Sequence, residues 1–268
     1  MTGMEIAVRL QLPKDIMEAV ENAQPLHIGL DMEKPQNILD QVSAFAAEDR
    51  GCRVLRFYLE WAAALKERYD VLGIPEKVFW DGMKDIAIWA EDYRQKHGVP
   101  GFVEWGWVAA TLSMKVFRLG RLQFEPTQLE TAVICDGKTY LPGTPVLGVH
   151  IPAGEPLDVA AVREAMQYAP EFFRRHLGKE FALFYCHSWL LSPCLKELLP
   201  EDSRILQFQN LFSVCGSDSE RQAEERVFGF LAEDPACYPE QTSLQRKMKA
   251  ALLDGKAFGM GWGVRVLP

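Results

Sequence analysis

From the start of the chain to about residue 117, apolar residues return every three or four positions, and few segments alternate, so this part reads as helical. The spacing predicts helices over residues 38–48, 55–69 and 104–117. A further apolar stripe runs through Val78, Trp80, Met83, Ile86, Ala87, Ala90 and Tyr93, with Pro75 at a plausible first position and Gly98 as a C-terminal cap. Tryptophans on these helices are expected to be core packing, or one wall of a cleft.

Past residue 117 the pattern becomes short runs broken by Pro, Asp-Gly and Pro-Gly signals. Strands are predicted over 118–124, 131–134 and 145–151, as three consecutive antiparallel strands. In the first, Leu122 and Phe124 alternate with Arg121, Gln123 and Glu125, the mark of a strand with one face in water. Asp136-Gly137 supplies a hairpin turn. A helix follows over 158–177, capped by Asp158, containing Pro170 and ended by Gly178. A strand is predicted over 181–189, then a short helix capped by Ser192 with Pro193 in its first turn. Another strand over 205–214, helices over 220–231 and 244–253, and a final strand over 259–267 complete the chain. The strand–helix–strand passage from Val146 to Trp189 favours a parallel pair, whose ligands belong at the carboxyl ends of the strands. Each of those ends carries a histidine, His150 and His187. The expected fold is α/β, in the sense α+β, with a helical domain over 1–117 and a sheet domain over 118–268.

With 268 residues, 48% hydrophobic and 25% charged, the composition is that of an ordinary globular chain. The net charge of −8 argues against nucleic acid as a partner. No apolar run reaches the length of a membrane span, and the first residues lack the apolar centre of a signal peptide, so no membrane partner and a cytoplasmic location are expected. The six cysteines show neither C-x-x-C pairs nor disulfide density, so reduced thiols and no structural metal are expected.

A histidine at each strand end suits general base catalysis near neutral pH, although a histidine there often only bonds backbone. Ser188, Tyr185 or Cys186 could supply a proton. Cys186 points away from His187 along the strand, which favours a buried thiol over a nucleophile. Glu125 and Glu104 are carboxylate alternatives, read as a solvated strand end and a helix cap. A metal held by His150, His187 and Glu125 has no spacing rule behind it.

The order of elements resembles the GNAT acyltransferases. The segments VLGVHIPAGEPLD, FYCHSWLLSPCLKELLP and ILQFQNLF are similar to a bacterial group of acyltransferase-domain proteins with a helical amino-terminal part and a GNAT-like carboxyl-terminal part. That resemblance implies a mixed sheet with a splayed parallel pair, and transfer of an acyl group from acetyl-CoA or another acyl-CoA to an amine. It also implies a phosphate-binding turn at Ile151, Ala153, Gly154 and Glu155. Gly154 matches the first glycine of the GNAT motif, whereas Ile151 stands in place of Arg or Gln and Pro156 in place of the second small residue. Pro152 and Pro156 donate no N–H, and Glu155 opposes an anion. A non-catalytic binding module that kept the fold and lost the loop is the competing expectation.

Overall fold

The computed structural model describes residues 1–31 and 34–268. The chain divides into two compact units, Met1–Gln123 with Pro152–Gly154, and Phe124–Ile151 with Glu155–Pro268.

The first unit is built of α1 (Gly3–Arg9), α2 (Lys14–Asn22), α3 (Pro35–Ser43), α4 (Cys52–Val71), α5 (Glu76–His97) and α6 (Trp105–Leu112). Their apolar stripes bury an aromatic core: Tyr58 meets Trp61 and Phe102 edge-on, and Tyr69 meets Phe79 in the same way. Trp61 is fully buried, as the core reading of the tryptophans expects, whereas Trp80, Trp105 and Trp107 are half-buried. Gly98 ends α5 in the left-handed conformation, at φ +71°, where a glycine costs least. Pro75 is the cap residue of α5 rather than its first helical residue. The unit ends in β1 (Phe117–Leu119) and the start of β2 (Leu122–Gln128), so the helix predicted to residue 117 stops at Leu112. What reads as one strand over 118–124 is two, because Gly120 turns the chain at φ +66°.

The second unit continues β2 and adds β3 (Val133–Cys135), β4 (Lys138–Tyr140), β5 (Pro145–His150), α7 (Val159–Leu177) and β6 (Leu183–Ser188). Then come α8 (Leu195–Leu198), α9 (Arg204–Gln209), β7 (Ser213–Ser217), α10 (Gln222–Phe228), α11 (Ser243–Leu253) and β8 (Gly261–Val266). The strands of the mixed sheet lie in the order β1-β2-β5-β6-β8-β7. β5 and β6 are parallel, as the α7 crossover requires, and β8 is antiparallel to both β6 and β7.

The consecutive antiparallel trio does not form. β3 pairs with β4 in a separate hairpin, where Asp136 and Gly137 both take positive φ, and β5 lies beside β2. The segment predicted as a strand over 205–214 is α9 followed by β7: Ser203 caps the helix by accepting the Leu206 N–H, and buried Leu206 and Phe208 only imitate strand alternation. Ser192 does not cap α8 with its side chain, and Cys194 stands at the cap position. Asp158 does cap α7, accepting the Ala161 N–H, and Gly178 closes it at φ +62°. That helix runs on through Pro170.

Candidate active site

β5 and β6 run in register from Val146↔Leu183 to Gly148↔Tyr185, and both strands then continue, to His150 and Ser188. The pairing therefore ends short of the histidines, and the strands part where the two side chains stand. Alternation puts Val146, Gly148 and His150 on one face of β5, and Leu183, Tyr185 and His187 on the same face of β6. Trp262 of β8 lies opposite His187 in register and joins that face, its ring 6.5 Å from that of Tyr185. Glu125 of β2 joins it too, since a Cβ added to Gly148 would lie 3.5 Å from the Glu125 Cβ. The hairpin β3–β4 covers part of this face, with Val133, Cys135 and Tyr140 clustered on Leu183 and Val264. The opposite face is core: Leu147, Val149, Phe184 and Cys186 are buried.

Each histidine meets its own carboxylate. His150 Nε2 lies 3.0 Å from Glu125 Oε2, and His187 Nε2 lies 2.6 Å from Asp218 Oδ2. Glu125 lies inside β2 rather than at its end, half-exposed, and is thus the partner of a catalytic candidate. Asp218 follows β7, and its other oxygen accepts the N–H groups of Glu220 and Met260. Partial burial pushes its carboxyl up, but the Glu220 N–H, His187 and Met260 N–H outweigh this and hold it below the usual carboxylate range. Its position also depends on Gly259, where an added Cβ would fall 1.7 Å from the Asp218 carbonyl oxygen.

Ser188 is buried, and its hydroxyl oxygen accepts the Leu190 N–H at 3.2 Å, closing a short 3₁₀ turn. Burial alone pushes the Cys186 thiol far up, which fits a small core residue and not a nucleophile. Burial likewise raises the Tyr185 hydroxyl, with Glu130, Cys186, Asp218 and Cys215 adding to it. Glu104 is the N-cap residue of α6 without a side-chain cap bond.

After His150 the chain passes through Ile151, then Pro152–Gly154 of the first unit, to Glu155 and α7. Gly154 has φ +88° and only Ile88 near the place a Cβ would take. In the first unit, Arg121 Nη1 donates to the Pro152 carbonyl at 3.0 Å, while Gln123 and Trp107 both donate to Asp85 Oδ2. Arg121 is 6% exposed, and Gln123 and Arg118 are 1% exposed. The polar side of β2 therefore faces a buried polar cluster at its start, not water, contrary to the half-exposed strand expected from alternation. Burial raises the Asp85 carboxyl, opposed by Gln123, Arg118 and Trp107.

Among the described residues no group of three His, Cys, Asp or Glu is gathered as a metal ion requires, and no helix is long and apolar enough to cross a membrane.

A search of curated proteins finds no match. Among solved structures, an acyltransferase in complex with CoA and 10C-teicoplanin is 25% identical, with TM-score 0.77 over 99% of this chain and 88% of that one. An acyltransferase in complex with decanoyl-CoA and teicoplanin is 24% identical, with the same TM-score and the same coverage. A further structure, with decanoyl-CoA alone, is 24% identical with TM-score 0.76, again over 99% of this chain and 88% of that one. Residues 5–114 match the N-acyltransferase N-terminal domain and residues 116–265 the GNAT-like C-terminal domain, and the chain belongs to the family that joins these two domains.

Proposed function

We propose that the protein transfers an acyl group from an acyl-CoA to an amine. The observation that carries this reading is the pair of histidines at the parting ends of β5 and β6, on one sheet face, each held by a carboxylate. An amine attacks a thioester only as the free base, so the first step is loss of a proton from the ammonium to an imidazole. The nitrogen then bonds to the carbonyl carbon, the C–S bond breaks, and the proton that the nitrogen sheds as it becomes an amide balances the one taken up by the departing thiolate. Either His150 with Glu125 or His187 with Asp218 has the base-plus-orienting-group arrangement for the first transfer. The histidine on the neighbouring strand is available to return a proton to the thiolate. Tyr185, on the same face as His187, is the other donor on β6, while Ser188 lies on the opposite, buried face.

The donor's pyrophosphate is assigned to the loop after β5. N–H groups of Ile151, Ala153, Gly154 and Glu155 and the start of α7 favour an anion there, while Glu155 opposes one. The chain's similarity to structures holding decanoyl-CoA supports a medium-chain donor over acetyl-CoA. The net charge of −8 and the carboxylates of the sheet face favour a cationic amine over nucleic acid as acceptor.

Calorimetric titration with CoA and decanoyl-CoA tests the reading. Saturable binding with micromolar affinity is expected, followed by thiol release on addition of an amine. The replacement of the loop's expected Arg or Gln by Ile151, and of its second small residue by Pro156, favours the alternative of a non-catalytic module. Absence of binding to either ligand would overturn the acyl-CoA reading and favour that alternative or a donor other than CoA.

A further inference from the structure

We propose that Arg121 is the positioning residue of the anion-facing loop, aiming the Ala153 N–H at the pyrophosphate of an acyl-CoA; the inference rests on the function proposed above. A guanidinium removed from water needs a partner, or its burial is strongly unfavourable. Arg121 is buried, and it spends its Nη1 on the carbonyl oxygen of Pro152, itself a buried residue.

Proline has no N–H, so its carbonyl is the main-chain group through which this residue can be held. In a trans peptide the N–H of the next residue points opposite to the C=O. A Pro152 carbonyl turned inward to Arg121 therefore turns the Ala153 N–H outward, and Ala153, Gly154 and Glu155 are the exposed residues of the turn. Gly154, at φ +88°, continues the turn in a conformation that lets successive N–H groups converge on an anion.

The anchor itself is rigid. Arg121 lies in the turn that joins β1 to β2, and Gln123, two residues on, is bonded to Asp85 of α5 at 2.6 Å. One turn further along α5, Ile88 lies beside Gly154. Pro152–Gly154 thus rest on α5 and on the turn before β2, all in the first unit. A loop with Ile151 in place of a cationic or amide side chain is ordered from Pro152 by a residue thirty-one positions earlier.

The test is calorimetry on the full chain and on Arg121→Met and Arg121→Lys, with two probes: CoA, and octanoyl-pantetheine, which has no phosphate. The expected result for Arg121→Met is a fall of about tenfold in the ratio of CoA affinity to octanoyl-pantetheine affinity, the scale of one charge-assisted hydrogen bond. Arg121→Lys keeps the charge without the planar fork and should fall between. An unchanged ratio in both variants, including an equal loss for both probes, would overturn the proposal, since general damage to the fold lowers both affinities together. Should Arg121→Met not fold, the ratio in Arg121→Lys decides the matter. If the unaltered protein binds octanoyl-pantetheine and CoA equally well, the loop has no role and Arg121 falls with it. If it binds neither, the acyl-CoA reading fails first.

Discussion

His187 Nε2 and Asp218 Oδ2 lie 2.6 Å apart, and the second oxygen of the same carboxylate is held by two main-chain N–H groups. An ionised carboxylate only accepts hydrogen bonds, so Nε2 is the donor to Asp218, and in a neutral imidazole the lone pair is on Nδ1. Asp218→Asn removes that preference and allows the other tautomer. The expected loss in kcat with decanoyl-CoA and an amine is about 10²-fold or more, with a changed pH profile and little change in CoA affinity. Because the folded-state pKa of Asp218 is lowered, its contribution to stability is present above the ordinary carboxylate pKa and disappears as pH falls through the folded value. Acid unfolding of Asp218→Asn should accordingly be the flatter of the two.

The second imidazole is tested by His150→Ala and Glu125→Gln. If His150 is the base, its removal costs about 10²-fold or more in kcat/KM, and Glu125→Gln costs less, because the ring remains and only its orientation is loosened. Thiol release monitored at saturating donor measures both. Full turnover in both His150→Ala and His187→Ala would remove the imidazoles from the chemistry.

At Gly154 the expected cost comes from backbone and charge, not from crowding. An added Cβ has its nearest neighbour, Ile88 Cδ1, at 3.9 Å, but φ +88° is a conformation that side chains disfavour. Gly154→Ala should destabilise the chain by about 1 kcal/mol in thermal unfolding. Gly154→Glu should also weaken CoA binding by about tenfold or more, since it puts a second carboxylate beside Glu155.

Asp85 gives the opposite pH sign to Asp218. Its pKa is raised, chiefly by burial, so between the unfolded and the folded value the native state holds more protons and stability falls as pH rises. Asp85→Asn carries no such titration. Denaturant midpoints from pH 3 to pH 8 should show the unaltered protein losing stability relative to this variant as pH rises through the carboxylate range. A constant difference would mean that Asp85 does not titrate abnormally.

The crossover was legible because each of its signals is local: Asp158 caps α7, Gly178 ends it, and apolar runs flank both. Thr2 and Glu5 form a capping box for α1, an equally local signal. The errors arise where two structures share a local pattern. Leu206 and Phe208 alternate like a strand, and only the cap at Ser203 distinguishes the helix. Alternation at Arg121 and Gln123 marks a polar side, but whether that side meets water depends on Asp85, thirty-eight positions before Gln123. The histidines were found from strand ends, whereas Asp218 was not: it reaches His187 across thirty-one positions, and nothing near it in the chain marks it as a partner.

Gly259 and Gly261 offer no functional group, yet their freedom to vary is narrower than that of many residues on the open sheet face. A methyl group on Gly259 would coincide with the Asp218 carbonyl at 1.7 Å, and one on Gly261 with the Leu191 carbonyl at 2.0 Å. Both obstacles are main chain, so no rotamer can yield. In a scan of every substitution at every position, selected on acyl transfer, these two silent residues should therefore tolerate as little as His187 and Asp218. The scan's map of intolerance would then be wider than the chemistry, outlining the backbone crossing that holds the dyad as well as the dyad.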